Sequence, residues 1–370
     1  LAFELIWESQ QYIRENNDES AVSLREIRRF NIFYKFFNSY LTSKKAYYIK
    51  ENQIDLYEED TSLYKKLDDY STQIYSINLS IFICYYLKIT IKEQRKEFEQ
   101  KMNGILKKYN QFKLQSFLDL PFKEQKFIVN NIKLDKGIAQ NRALLENIFS
   151  LFVSINCKVP IFIVGKPGCS KSLSMQLINK SMQGSVSENN FFRLFPKIII
   201  HSYQGSLAST SKGVENVFAK ARRTLTQLQL SNNQEKVVSL IYFDEMGLAE
   251  HSPNNPLKVI HSELEINFDF EISDDFEQNL FNSEDNKSKI AFLGISNWSL
   301  DASKMNRVIF NVLQEPDIND LKKTALEIAS SINEKIANKY IDFFDKIAIS
   351  YFEYIEQKRR DDRFYVNFHG

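Results

Sequence analysis

Apolar residues along this chain change spacing twice, and each change marks a change of architecture. In A-V-S-L-R-E-I-R-R-F-N-I-F-Y-K-F-F, Leu24, Ile27, Phe30, Ile32, Phe33 and Phe37 fall on one helical stripe. Ser23 as N-cap with Glu26 three residues on reads as a capping box, so a helix is predicted over about 24–41. Further helices are predicted over 76–87 and, with charge-dense outer faces, over 90–108. Residues 111–134 read as a polar connector, and 140–152 as an amphipathic helix. From there short apolar runs take over. Ile161–Val164, K-I-I-I-H-S-Y after Pro196, Val237–Phe243 and K-I-A-F-L-G-I-S-N-W read as buried strands. Helices follow the first run to about Met182 and the second over about 214–230. After Pro316 and Asp317 helical spacing returns, near 318–332 and 335–358. The first part is therefore helical, the middle α/β and the tail helical.

Glycine usage sharpens this division, because seven of the ten glycines lie between Gly165 and Gly294, where loops must turn sharply or approach a ligand. Charge excludes little but directs attention inward. Forty-eight basic and 47 acidic residues nearly cancel, leaving no global field that would favour nucleic acid. No apolar run approaches the roughly 18–20 residues needed to cross a bilayer. Cys84, Cys157 and Cys169 are far apart and have no metal-ligand spacing, which fits a reducing, cytoplasmic setting. The start at Leu1 without a signal pattern suggests a segment of something longer.

The candidate chemistry gathers at strand ends. I-F-I-V-G-K-P-G-C-S-K-S-L-S is a strand, a tight loop and a helix opening, in which Gly165, Lys166, Pro167, Gly168, Cys169, Ser170, Lys171, Ser172 and Leu173 would wrap a polyphosphate. Lys171 would reach the β- and γ-phosphates, and the Ser172 hydroxyl would ligate Mg²⁺. Ser170 stands where the usual pattern has glycine. About 70 residues on, the strand ending in Asp244 and Glu245 supplies two carboxylates, Asp244 for Mg²⁺ and Glu245 to polarise a lytic water. Asn297 ends the next strand, where its amide would meet the γ-phosphate and that water. Arg307, carried to the far side by a short helix, is placed to act on a neighbour's nucleotide; Arg222 and Arg223 read as surface residues. Ile138, beside Gly137 and Ala139, is the candidate base contact, and Tyr203 reads as core more readily than as a pore residue. His251 and His261 are ten apart and do not suit a helical zinc pair; the acidic stretch Asp269–Asp285 reads as a solvated insertion.

A phosphate loop, a D-E strand, an asparagine-ended strand and a trailing arginine, in this order, resemble the AAA+ ATPase core with its Walker A and Walker B motifs. The local text is closer still. G-K-P-G-C-S-K-S-L-S, Y-Q-G-S-L-A-S-T-S-K-G-V, F-D-E-M-G-L-A-E-H-S-P-N-N-P-L-K-V-I-H and G-I-S-N-W-S-L-D-A-S-K-M-N-R resemble the tandem AAA+ motor of the mysterin-like family of giant RING-finger E3 ubiquitin ligases. That resemblance implies a three-layer αβα P-loop domain with a parallel sheet, flanked by helical lids. Residues 1–120 would be the lid of a preceding unit, with Arg25 at its second sensor position; 121–312 the large nucleotide-binding domain; and 313–370 the beginning of its own lid. It also implies ATP and Mg²⁺ as cofactors, neighbouring AAA+ units of the same polypeptide as partners, and ubiquitin-conjugating machinery only through the parent protein. Two alternatives stay open: a dynein- or midasin-like mechanochemical motor, and a unit that holds ATP with negligible turnover.

Overall fold

The computed structural model describes residues 1–16, 22–50, 68–109, 116–230, 236–266 and 290–359, so the acidic stretch Asp269–Asp285 lies outside the described residues. Among the described residues five α-helices come first: α1 (Ala2–Asn16), α2 (Leu24–Lys50), α3 (Asp69–Cys84), α4 (Lys92–Lys108) and α5 (Asp119–Asn130). Helix α2 runs well past the predicted end near residue 41, and α3 starts at Asp69 instead of 76, where the Asp68 carboxylate caps it by accepting from the Ser71 N–H at 2.7 Å. Helix α5 corrects the connector expected over 111–134. Pro121 sits in its first turn, where no intrahelical N–H bond is lost, while Leu120, Ile128 and Val129 are buried.

Helix α6 (Arg142–Cys157) starts at Asn141, whose side chain accepts from the Leu144 N–H. There follow β1 (Ile161–Val164), α7 (Lys171–Ser181), β2 (Lys197–Gln204), α8 (Ser211–Leu230), β3 (Val237–Asp244), α9 (Met246–Glu250), α10 (Lys258–Ile266), β4 (Ala291–Ser296), α11 (Ala302–Met305), β5 (Ile309–Val312), α12 (Ile318–Lys339) and α13 (Ile341–Arg359). The strands form one five-stranded parallel sheet in the order β2-β3-β4-β1-β5. Continuous apolar strands of this kind need both faces covered. One buried cluster packs α6 and the N-terminal helices on one face, through Phe149, Phe152, Ile161 and Ile309; the other packs α8 and α10 through Phe162, Phe218, Ile260 and Phe292.

That first cluster continues without a break into α2 and α3: the rings of Phe37 and Phe149 stack at 6.0 Å, and Phe36 meets Phe152 edge-on at 6.4 Å. Each buried Phe contributes roughly 1.5–3 kcal/mol. Buried ions reinforce the junction. Glu26 accepts from Arg29 at 2.6 Å and Lys88 at 3.0 Å, and Arg29 also donates to the Asn306 carbonyl at 3.2 Å, just ahead of β5. Arg95 of α4 pairs with Glu146 of α6 at 2.9 Å and donates to the Val312 carbonyl at 3.1 Å.

In the tail, Asp317 and Asp320 form a reciprocal capping box for α12, and Asn333 (φ −156°, ψ 104°) breaks its helical backbone where the sequence predicts a gap between 332 and 335. The hairpin of α12 and α13 leaves Ile332 83% and Phe343 59% exposed.

Candidate nucleotide site

The sheet order fixes the site. Because β4 lies between β1 and β3, the loop after β1, the residue after β4 and the end of β3 open onto the same carboxyl edge, where open α/β sheets gather ligands. Gly165 donates to the Ser296 carbonyl at 3.2 Å, so the loop leaves β1 directly beside the strand that delivers Asn297. Lys166, Pro167 and Gly168 are exposed, and Gly168 takes φ +85°. Ser170 takes φ +55°, which accounts for glycine in the usual pattern: this position is left-handed, and serine adopts it at a cost of about 1–2 kcal/mol. Helix α7 then begins at Lys171, and its first-turn N–H groups have no intrahelical acceptors, which leaves them for an anion.

Lys171 is 7% exposed and its amine donates to the Gly165 carbonyl at 2.5 Å and the Lys166 carbonyl at 2.9 Å. Burial pulls this amine below its ordinary range, while the nearby Glu245 and Asp244 carboxylates act in the opposite sense. The Lys166 amine meets Glu315, in the segment between β5 and α12, at 2.5 Å. Ser172 is exposed, with its hydroxyl near that of Tyr242.

Tyr242, two residues before Asp244 on β3, links the two halves of the site. Its hydroxyl interacts with both the Ser172 hydroxyl and the Asp244 carboxylate, and burial pushes its pKa up to about 12, with the negative charge of Asp244 adding to the effect. The sequence reading missed it, because a tyrosine inside an apolar strand looks like ordinary strand composition. Glu245 takes φ +52°, and the Asn297 amide donates to its carboxylate at 3.2 Å. Gly205 makes that bend possible: it donates to the Asp244 carbonyl at 2.8 Å, and a Cβ on it would stand 2.2 Å from the Glu245 carbonyl oxygen. Oxygen donors from Ser172 and Asp244 suit a hard divalent cation. Among the described residues, no cluster of three His, Cys, Asp or Glu could hold a metal ion.

The remaining candidates lie elsewhere. Ile138 is half-buried in the turn before α6, where Gly137 abuts Ser331 of α12 and Asp135 pairs with Lys180 of α7 at 3.8 Å, so this turn flanks the phosphate loop's helix. Arg307 precedes β5, whose first residue pairs with Ile161 at the start of β1, so it stands at the amino edge, a strand length from the loop. Arg25 is exposed on α2, one helical turn before Arg29, which bonds the Asn306 carbonyl next to Arg307. Arg222 pairs with Glu263 of α10, and Tyr203 packs edge-on against Phe243 at 4.8 Å.

A parallel sheet in this order, with a phosphate-type loop behind its inner strand and an acid pair and asparagine on the adjoining strand ends, defines an AAA-type P-loop α/β domain. Residues 137–320 match the family model of the RNF213 AAA domain, and the chain belongs to that family. It is 32% identical over 344 residues to the human E3 ubiquitin-protein ligase RNF213, covering 92% of this chain, and 31% identical over 358 residues to the Mus musculus protein of that name, covering 96%. To E3 ubiquitin-protein ligase rnf213-beta of Danio rerio it is 32% identical over 328 residues, covering 87%. The chain spans 6% of the length of each of these relatives. The resemblance carried by the motif text is therefore borne out at the level of the family. No helix among the described residues is long and apolar enough to cross a membrane.

Proposed function

We propose that this AAA domain binds Mg²⁺ and ATP and hydrolyses the nucleotide as one unit of a larger RNF213-type E3 ubiquitin ligase polypeptide. The supporting observation is convergence: the Lys171 amine feels both the Asp244 and the Glu245 carboxylates, the Tyr242 hydroxyl feels both Ser172 and Asp244, and Asn297 donates to the Glu245 carboxylate at 3.2 Å. In this reading the loop 165–173 cradles the phosphates and Lys171 swings from its own loop carbonyls to the β- and γ-oxygens. Ser172 and Asp244 hold Mg²⁺, which supplies neutralisation of the developing phosphate charge. Glu245 orients the attacking water and Asn297 fixes both the water and the γ-phosphate. Ile138 meets the base. Residues 1–120 serve as the lid of a preceding unit, 121–312 as the large domain and 313–370 as the beginning of its lid, so that Arg25 and Arg307 address the nucleotide of that preceding unit. A site that only stores ATP has no use for Glu245, which is why hydrolysis is favoured.

The test is Glu245→Gln in the full-length polypeptide. ATP affinity should persist while this unit's turnover falls by about 10²–10⁴-fold, the usual reach of a general base. Unchanged turnover would remove Glu245 from the chemistry, and loss of binding would make it a structural residue.

A further inference from the structure

A chain of fully buried amides runs beneath the phosphate loop, and none of its members belongs to the motifs described so far. Asn147 of α6 is completely buried, and its Nδ2 donates to the carbonyl of Cys169 at 3.0 Å. Asn311 of β5, also completely buried, donates to the Asn147 Oδ1 at 3.2 Å and lies 3.4 Å from the Ser150 hydroxyl. The orientation of Asn147 is fixed by chemistry, since only its NH₂ can serve a carbonyl and only its oxygen can accept from Asn311. Burying two amides in an apolar helix and strand is costly, the more so as the Asn311 Oδ1 has no hydrogen-bond partner among the described residues, and leucine would fill either position without that cost. What the pair does is hold one peptide.

In a planar trans peptide the C=O and N–H point in opposite directions. Anchoring the Cys169 carbonyl inward on α6 therefore turns the Ser170 N–H away from α6, to the open side of the loop. The same anchor holds Ser170 at φ +55°, a conformation that a free serine would leave. Its carbonyl is then engaged by the N–H of Ser174 at 2.9 Å and the Ser174 hydroxyl at 2.7 Å, which starts α7 in register with Lys171.

We infer that Asn147, oriented by Asn311, is a positioning residue for nucleotide binding, which sets the Ser170 N–H and the first turn of α7 for the phosphates. This rests on the nucleotide reading above. The experiment is a titration of this chain with a fluorescent N-methylanthraniloyl ADP in the presence of Mg²⁺, far below the unfolding midpoint, on wild type, Asn147→Leu, Asn311→Leu, Ser170→Gly and the Asn147→Leu/Ser170→Gly pair. Asn147→Leu should weaken ADP binding about 10-fold, the equivalent of one lost charge-assisted hydrogen bond, and Asn311→Leu by less. Glycine adopts positive φ freely, so Ser170→Gly should recover most of that loss in the double variant. A merely structural role would lower the unfolding midpoint and give no such rescue. Asn147→Leu binding as wild type overturns the inference, as does a loss that Ser170→Gly fails to repair. Should Asn147→Leu not fold, undiminished ADP binding by Asn311→Leu overturns it instead. Absence of ADP binding by wild type would end the nucleotide reading itself, and this inference with it.

Discussion

At the carboxyl edge of the sheet this chain supplies the loop, the acids and the amide of the candidate site from its own strands, locked by two left-handed residues and a glycine that admits no side chain. At its amino edge it carries the half-buried Arg307 next to the Asn306 carbonyl that Arg29 holds, within the buried set of Glu26, Arg29 and Lys88, and Arg25 is exposed one helical turn before Arg29. In the proposed function one edge would receive the nucleotide and the other would offer charge to a neighbouring unit. The difference teaches that, on the reading proposed above, a complete site would draw on the carboxyl edge of one domain and the amino edge of the next.

The largest effect that would break this comparison is at Glu26. Replacing it with alanine strands two buried cations and should cost about 3–5 kcal/mol in urea unfolding; a loss under 1 kcal/mol would mean the amino edge is not held by these ions. The pH dependence has a definite sign. Burial alone would raise the Glu26 carboxyl, but Lys88 and Arg29 overcome it and the group sits below its ordinary value of 4.5. Its stabilisation is therefore complete above that ordinary value and fades as pH falls through the lower folded value, so wild type and Glu26→Gln should converge in strongly acid solution and differ near neutrality. A constant gap across that window would contradict the assignment.

Next in size is a contrast between two cations. Lys171→Ala should weaken ATP binding to this chain by about 10- to 100-fold, the range for hydrogen bonds to charged groups. Arg307→Ala should leave it within about 2-fold, since a strand of four residues at about 3.3 Å each separates that edge from the loop. Equal losses by equilibrium titration would place both residues at one site and erase the distinction. The smallest effect sharpens the carboxyl edge alone. Tyr242→Phe removes a hydroxyl worth about 0.5–1.5 kcal/mol, so the Mg²⁺ concentration for half-maximal ATP binding should rise a few-fold while Mg²⁺-free binding stays put. A shift in both would show that Tyr242 acts on the loop and not on the metal side.

Much of the carboxyl edge was legible in the sequence because the proposed chemistry calls for particular residue types at strand ends. Four strand runs, the loop and Asn297 stand where the pattern put them, β5 is not marked as a strand by that pattern, and the break near Asn333 falls in the predicted gap. Helix α5 was not legible, since its apolar residues are interrupted by Pro121 and a charged run and are sorted only by packing on α3 and α6. Glu26 was readable as a capping residue, and it does accept from the Ser23 N–H at 2.7 Å, but its two distant cations come from tertiary contacts no local pattern records. Asn147 and Asn311 were hidden for the same reason, as polar letters in apolar runs whose partners lie 164 positions apart.

The unbroken core from α2 and α3 through α6 to β1 has a mechanical consequence. Close-packed interiors yield little under load, so the helices at the front of the chain and the sheet behind them move as one stiff arm. A tilt imposed on the first helices would reach Arg307 and the phosphate loop with no play in the linkage. The segment around Glu315 is drawn into the same arm, through Gln314 on the Thr90 carbonyl at 3.1 Å and Lys166 on Glu315 at 2.5 Å.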